Sequence, residues 1–427
     1  MSMEIEYRSV ADFGEIITGK TPSTSVDEFW SGEIPFITPT DIVGYDMRYI
    51  FSTERQITDE GANSQINTIL PKNTICVSCI ASIGKMCITS AAQSITNQQI
   101  NSIVVKKEYD YQYLFYLLRY FLPYIQLIGG GTGSGTPIIS KTKFSKLKYP
   151  VCVDKAIQAR IAVILSTYDS LIEVNNKRIK VLEQIAENLY KEWFVRFRFP
   201  GHETAEFVDS RIGRIPSSFA ILKMQDILEF YIGGGWGNDD EDNEYPIQAY
   251  VIRGTDFPRV TKGDLSSCPL RHHKKSNYST RQLEPDDVIL EVSGGTAEQP
   301  VGRTLLVTAD TIDRFGGKVI CASFCKQMRV KKELISPIFF YYWMQFLYNT
   351  RIIDRFQLQS TGIINFRFEY FLRKGDVMLP NKEIMDEFDG KVRTIYSEIS
   401  IIARQTENLI KQRDLLLPRL MSGKLEV

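Results

Sequence analysis

Val10-Ala11-Asp12-Phe13-Gly14-Glu15, running on to Gly19, is answered by Met224-Gln225-Asp226-Ile227-Leu228-Glu229, running on to Gly233. Asp12 and Asp226, Glu15 and Glu229, and Gly19 and Gly233 are each separated by 214 residues. Working outward, Thr40-Asp41 matches Thr255-Asp256, Pro71 matches Pro285, and Gly84-Lys85 matches Gly302-Arg303. An aromatic helix at 111–118 is echoed at 338–343, and Thr136-Pro137-Ile138-Ile139-Ser140 by Thr361-Gly362-Ile363-Ile364-Asn365. Landmarks repeated in one order imply two like domains, and runs such as Ile75-Cys76-Val77-Ser78 and Val288-Ile289-Leu290-Glu291 read as strands within them.

Each copy closes on a long helical segment. In the first, Ile161, Tyr168, Asn175, Leu182 and Leu189 recur every seventh residue, with Ile157, Ile164, Leu171 and Ile185 between. In the second, Val392, Ile399, Thr406 and Leu420 alternate with Ile395, Ile402, Leu409 and Leu416. A seven-residue repeat is the signature of a coiled coil, and polar breaks in it fix register and partner. Asn175, Arg178 and Arg413 are expected to satisfy one another or partner residues along the helix pair; Tyr168, Leu182, Thr406 and Leu409 belong to the same seam. A helix of roughly 40 residues is about 60 Å long. The economical arrangement packs the two helices antiparallel, with the globular domains at opposite ends. The expected fold is α+β: two β-rich mixed domains in tandem, separated by two long antiparallel coiled-coil helices, with a pseudo-twofold internal repeat. The domains are expected at 1–150 and 217–381, the helices at 151–198 and 382–427, and a Pro/Gly-rich linker at 199–216.

Composition limits the chemistry. Hydrophobic residues are 43% and charged residues 24% of the 427, ordinary for a globular chain. No run of eighteen apolar residues exists and the N-terminus lacks a signal peptide, so a cytoplasmic protein with no membrane partner is expected. The seven cysteines then read as reduced thiols. Basic and acidic residues balance at 51 each. That balance argues against a free-standing duplex binder, whose affinity comes largely from neutralising phosphates. Either the basic residues are unevenly placed, as at Lys141, Lys143, Lys146 and Lys148 or Arg271 through Lys275, or a partner supplies positive surface.

Catalytic patterns fail one by one. Gly14-Glu15-Ile16-Ile17-Thr18-Gly19-Lys20-Thr21 matches a phosphate loop by letter, which makes a nucleotide-binding enzyme the first alternative. Its context is wrong: Pro22-Ser23-Thr24-Ser25 follows where a helix should open, and Gly234-Gly235 stand at the matching positions of the second copy. Cys76-Val77-Ser78-Cys79 and Cys321 with Cys325 lack a histidine pair, so core thiols rather than a metal site are expected. Pro285-Asp286 with Glu291 resembles a metal nuclease, but Ser293 stands where a lysine is needed. Gly129-Gly130-Gly131-Thr132-Gly133-Ser134-Gly135 lacks the spacing of a dinucleotide loop and reads as a mobile loop. No catalytic residue, metal ligand or cofactor is expected in this chain.

Five stretches carry a resemblance. They are Gly19-Lys20-Thr21-Pro22-Ser23 with Trp30-Ser31-Gly32-Glu33-Ile34-Pro35-Phe36-Ile37; Ile83-Gly84-Lys85; Thr96-Asn97-Gln98-Gln99-Ile100; the connector 209–216; and the ending 415–425. Together with the two-copy layout, they make the chain resemble the specificity subunits of Type I restriction-modification systems, over nearly its whole length. The second copy departs at Gly233-Gly234-Gly235-Trp236-Gly237-Asn238, and near Ala322-Ser323-Phe324 it has lost the amides of Asn97-Gln98-Gln99. The resemblance implies a non-catalytic subunit in a prokaryotic cytoplasm, in which each target-recognition domain reads one half of a split double-stranded DNA target. It implies helices that set an unread spacer and dock two methyltransferase subunits, and a restriction subunit that joins them. S-adenosylmethionine, ATP and Mg are then expected in the partners. A coiled-coil scaffold without sequence preference is the second alternative.

Base reading needs bidentate donors and acceptors at groove edges, whereas phosphate contacts only set position. On that basis the expected DNA contacts in the first domain are Lys20, Thr21, Ser23, Ser82, Lys85, Asn97, Gln98 and Thr132. In the second they are Trp236, Asn238, Arg253, Thr255, Ser293, Thr296, Gln299, Arg303 and Lys318.

Overall fold

The computed structural model describes residues 3–130, 136–296, 299–360 and 363–427. Thr132 and most of the glycine-rich stretch around it lie outside the described residues. The chain divides into two compact units, Met1–Glu173 with Asn408–Val427, and Val174–Glu407. Each unit is a β-rich mixed domain that includes part of both long helices, Lys155–Tyr190 and Lys382–Met421. No helix among the described residues is long and apolar enough to cross a membrane.

In the first unit the central sheet runs Gly14–Thr18, Ile100–Val105, Ile75–Ser78, Met86–Thr89, Tyr49–Ile50. Ile75–Ser78 is buried at all four positions because its alternating side chains serve two cores. Ile75 and Val77 face the cluster that includes the aromatic helix Tyr111–Tyr120; Cys76 joins Cys87, Ile100, Ile37 and Leu70 on the other side. Asp110 caps that helix by accepting from the Tyr113 N–H at 2.9 Å. The second unit repeats the plan with Leu228–Gly233, Cys325–Val330, Val288–Glu291 and Thr304–Leu306. There Val288 and Leu290 pack toward the helix Pro337–Asn349, and Ile289 toward Ile252, Phe257 and Val260.

The repeat is real, but its spacing shifts. Leu228–Gly233 carries a β-bulge between Leu228 and Phe230, an extra residue that its counterpart Gly14–Thr18 lacks. The rest of that strand and the residue after it move by one, so Gly234 rather than Gly233 corresponds to Gly19. Their hydrogen bonds agree: Gly19 N–H donates to Ile100 O at 3.1 Å and Gly234 N–H to Cys325 O at 2.9 Å. Likewise Asn365, which pairs with Ser293, is the counterpart of Ile138, which bridges to Ile80; Ile363 is not.

The two long helices run antiparallel within each unit. In the first, Asp169 meets Arg413 at 2.7 Å, and Ile157, Ile161, Ala162 and Leu165 share a core with Leu417, Leu420 and Met421. In the second, Ile179 packs with Ile399, Ile402 and Ala403, and Tyr190 lies 6.1 Å from Phe388 between ring centres. The seam on the second helix follows Val392, Ile399, Thr406, Arg413 and Leu420, all buried. On the first it sits one residue later than the intervening row expected from sequence. Gln158, Leu165, Ile172, Ile179 and Ala186 are buried, whereas Leu171 and Ile185 are 47% and 49% exposed. Gln158 is tolerated at a seam position because both ends of its amide are bonded, the oxygen accepting from Asp110 N–H at 2.8 Å and the nitrogen donating to Cys152 O at 2.7 Å.

Candidate nucleic-acid interface

In the first unit the site forms where the strand Gly14–Thr18 ends. A Cβ on Gly19 would lie 2.2 Å from Thr96 O and 2.3 Å from Asn97 O, so only glycine lets the following loop press onto the turn at 97–99. That turn is internally tied: Asn97 Oδ1 accepts from Gln99 N–H at 3.1 Å and its Nδ2 donates to Gln99 Oε1 at 2.9 Å. Thr21 Oγ1 donates to Gln98 Oε1 at 2.9 Å, which joins loop to turn. Ser23 and Lys20 are exposed beside it, and Trp30, whose indole N–H donates to Ser23 O at 3.0 Å, carries the Arg55 guanidinium 3.5 Å above its ring. Ser82 and Lys85 are half-buried on the next turn, and Lys85 Nζ donates to Pro39 O at 3.2 Å. Cys79 N–H donates to Gln99 O at 2.8 Å, placing the two turns side by side. Thus Lys20, Thr21, Ser23, Asn97 and Gln98 are gathered into one surface, with Ser82 and Lys85 next to it.

This geometry differs from a phosphate loop. Gly14–Thr18 is a strand in ladder with Ile100–Val105, so its amides are committed to the sheet, and no helix opens at Lys20. In the corrected alignment Gly235 and Trp236 stand at the positions of Lys20 and Thr21. All seven cysteines are buried free thiols.

The second unit builds its counterpart from more glycine. A Cβ on Gly234 would meet Ala322 O at 2.2 Å, and one on Gly237, whose φ is +72°, would meet His272 O at 2.3 Å and the His273 ring at 2.8 Å. Asn238 and His272 exchange backbone hydrogen bonds of 2.8 and 3.0 Å, which lays the loop along the strand Leu270–His273. Arg271 lies 4.7 Å from the Trp236 ring centre, donates to Trp236 O at 3.3 Å and Gly237 O at 3.2 Å, and pairs with Asp239. Beneath this loop, His272 Nδ1, both ring nitrogens of His273 and Asn277 Oδ1 are buried without a hydrogen bond. Burial, with help from the nearby Arg271 charge, lowers the His273 pKa against the opposing pull of the Ala249 backbone.

The remaining residues of the second domain fall elsewhere. Arg303 grips Glu291 bidentately at 2.8 and 2.7 Å, and a Cβ on Gly254, which lies between Arg253 and Thr255, would meet Glu291 Oε1 at 2.3 Å. Arg253 is held by two bonds of 2.9 Å to Asp256 and one of 2.6 Å to Ser267 O, and Ser293 Oγ donates to Asn365 Oδ1 at 2.7 Å. Thr296 and Gln299 are exposed and close a turn on each other, and Lys318 is exposed after the left-handed Gly316-Gly317. Arg253, Arg271 and Arg303 are therefore engaged by carboxylates within the chain, which gives the neutral charge balance a local form. Sequence reasoning placed Arg271 in a basic cluster without assigning it a role, and missed Asn277; the run Arg271-His272-His273-Lys274-Lys275 was the available signal.

The helix-pair residues are also separated rather than grouped. Arg178 pairs with Glu398 at 3.4 Å on the surface, and Arg413 pairs with Asp169 in the interior. Thr406 Oγ1 donates to Ile402 O on its own helix at 2.8 Å; Asn175 is buried, and Tyr168, Leu182 and Leu409 are half-buried beside the seam.

Asp256 gives a pH test of the second unit. Burial pushes its pKa up, but hydrogen bonds from Arg253 and Ser267 and the guanidinium charge outweigh it, so the carboxyl titrates below its usual range. A depressed carboxyl contributes stability that is present above its unfolded pKa of about 3.9 and lost as pH falls through the folded value. Urea titrations of Asp256→Asn should show a loss of about 1–3 kcal/mol at pH 7 that shrinks below about pH 4. Equal losses at pH 7 and pH 3 would contradict this assignment.

Comparison with known proteins adds the following. Residues 3–184 match the Type I restriction modification DNA specificity domain. The chain is 26% identical over 434 residues to the Type I restriction enzyme MjaIX specificity subunit of Methanocaldococcus jannaschii, covering 99% of this chain and 94% of that one. It is 32% identical over 184 residues to the HindI specificity subunit of Haemophilus influenzae, 42% of this chain and 39% of that one. The crystal structure of a Type I restriction-modification S subunit from M. genitalium superposes with a TM-score of 0.57 at 12% identity, covering 98% of this chain and 96% of that one, a likeness of fold.

Proposed function

We propose that the chain, whose residues 3–184 match the Type I restriction modification DNA specificity domain, is a specificity subunit of that kind, and that its two units each read one half of a split double-stranded DNA target without catalysing a reaction. The observation that most directly supports this is the paired loop device: Gly19 against Thr96 and Asn97 in one unit, Gly234 against Cys321 and Ala322 in the other. The backbone scaffold is kept and the side chains it displays are changed, as two readers of different half-sites require. Phosphate contacts from residues such as Lys20 set position, and Thr21, Asn97 and Gln98 in one unit, Trp236 and Asn238 in the other, face the bases.

The long helices fix the spacer and dock two methyltransferase subunits, to which restriction subunits add. Val174, Val181 and Ile185 are about half exposed on the first helix, and Val174 and Val181 line a hollow of about 400 Å³ with Lys177, Arg178, Leu182 and Glu398. An apolar row with charged flanks suits a partner helix. S-adenosylmethionine, ATP and Mg act in those partners.

The test is to co-express the chain with its cognate methyltransferase and map methylated sites in the host DNA. A motif of two short specified blocks around an unread spacer is expected. Methylation of one continuous motif, or binding of random duplex as tight as of the mapped motif, would favour a different reader or a scaffold.

A further inference from the structure

We propose that the acidic segment Asp239-Asp240-Glu241-Asp242-Asn243-Glu244 is a displaceable stand-in for DNA phosphates, covering Arg271 and Lys274 until a matching duplex takes its place. The inference rests on the reading of the second unit as a DNA reader and concerns how that reading is gated.

Five of these six residues are acidic, and all six are exposed, directly after the loop that displays Trp236 and Asn238. Asp239 pairs with Arg271 and Glu244 with Lys274. The two sides of these pairs are held differently. The Arg271 side chain is 10% exposed and fixed by the Trp236 and Gly237 carbonyls, and Lys274 sits 5.1 Å from the Tyr245 ring centre. Their carboxylate partners are 83% and 65% exposed on the loop. Asp242 turns inward on its own segment, accepting from Glu244 N–H at 2.7 Å and Tyr245 N–H at 2.8 Å, which shapes the loop so that its two ends reach the cations. Arg271 belongs to the strand Leu270–His273, and Lys274, 41% exposed, follows it at the head of the helix Lys275–Arg281, whereas the anions sit on a loop, so the loop is the part that yields.

Physical chemistry supplies the function. An exposed ion pair contributes little because water and salt compete with it. A phosphate on duplex DNA offers the same charge and releases counterions on contact, so it can displace an exposed carboxylate. Phosphate attraction is alike for every sequence, and bare cations would hold the chain on random DNA. Covered cations add their contact only when base recognition at Trp236 and Asn238 has brought the backbone close, which widens the gap between target and random duplex. The first unit has no run of five acids there: Lys20-Thr21 is followed by Pro22-Ser23-Thr24-Ser25-Val26 and then only Asp27-Glu28. The gating therefore concerns the half-target read by the second unit.

The experiment uses the chain assembled with its methyltransferase, bound to target duplex and to random duplex over a salt series. Asp239→Asn with Glu244→Gln should raise affinity for random duplex about tenfold at low salt and steepen its log–log salt slope by about 1–2, one or two added phosphate contacts. Affinity for the target should rise less, so discrimination falls. Adding Arg271→Gln should cancel most of the gain. Asp240→Asn with Glu241→Gln makes the same charge change in the same segment at carboxylates that do not pair with either cation. An equal gain from that control would reduce the effect to net charge and overturn the proposal, as would an unchanged random-duplex slope in the first variant. If the unaltered assembly shows no preference for any duplex, the DNA-reading assignment itself fails, independently of the variants.

Discussion

Replacing Arg413 by methionine is expected to destabilise the first unit by about 3–5 kcal/mol, the cost of leaving a buried charge without its partner. Arg413 and Asp169 are each 4% exposed and joined at 2.7 Å. Burial opposes the guanidinium charge, but the Asp169 carboxylate, with help from Asp414, more than restores it, and the Arg413 pKa is raised. Asp169 also accepts from Tyr116 Oη at 2.5 Å, and Arg119 approaches it to 3.6 Å. The variant thus strands a carboxylate between an aromatic hydroxyl and one distant cation, which places the loss toward the lower end of the range. Thermal unfolding should show the first unit's transition lowered by roughly 6–15 °C, at about 2–4 °C per kcal/mol for a unit of this size. A combined Asp169→Leu and Arg413→Met change should recover most of it, because a buried pair is often replaceable by apolar packing. An unaltered transition in the single variant would mean that the pair is open to water and carries no such penalty.

The same pair marks what sequence could and could not reveal. Arg413 interrupts a regular apolar row, so its position on the helix seam was legible, as were the duplication, the strands at 75–78 and 288–291 and the two long helices. Its partner was not: Asp169 stands 244 residues away and adjacent to the expected seam position Tyr168. Periodicity finds the face of an element but not what lies across from it. The first helix shows this more sharply. Leu171, Val174, Val181 and Ile185 make a second apolar row, and Gln158 and Ala186 do not look like core, so the pattern drew the seam one residue off. The true seam uses a glutamine whose burial is offset by two hydrogen bonds to backbone groups distant in sequence.

The displaced glycine match has a different cause. A β-bulge adds one residue without changing the strand's partners, and single-sequence spacing cannot distinguish it from a continuous register. Correcting it puts Trp236 opposite Thr21, and the second unit then displays an indole where the first displays a hydroxyl tied to Gln98. The basic residues of the second unit were legible as a cluster, but their neutralisation was not. Glu291 is 12 residues from Arg303 and Asp239 is 32 from Arg271, separations that carry no helical or strand period.

A target half should be transferable between chains, and the core of the first unit dictates where the cuts must fall. Residues 1–150 contain the loops that read DNA in the proposed function, so grafting them from a relative with a different first half-target should change that half alone. Yet this segment does not close its own core. Phe144, Leu147 and Tyr149 share a cluster with Ile157, Ile161 and Leu165 of the first long helix and with Leu417, Leu420 and Met421 of the second. A graft of 1–150 therefore meets helices shaped for other side chains, and each mismatch in a packed core costs about 1–3 kcal/mol. A graft of 1–173 together with 408–427 carries all three contributors. The second graft is expected to unfold within a few degrees of the parent and the first roughly 8–16 °C lower, taking two such mismatches of about 2 kcal/mol each at about 2–4 °C per kcal/mol. Both should methylate a motif in which only the first block is new, the first graft less completely at raised temperature. If both blocks changed, or the new block failed to appear with the fully matched graft, the assignment of one half-target to each unit would be wrong. If the two grafts were equally stable, the residues contributed by the second long helix would be spectators rather than part of the first unit's core.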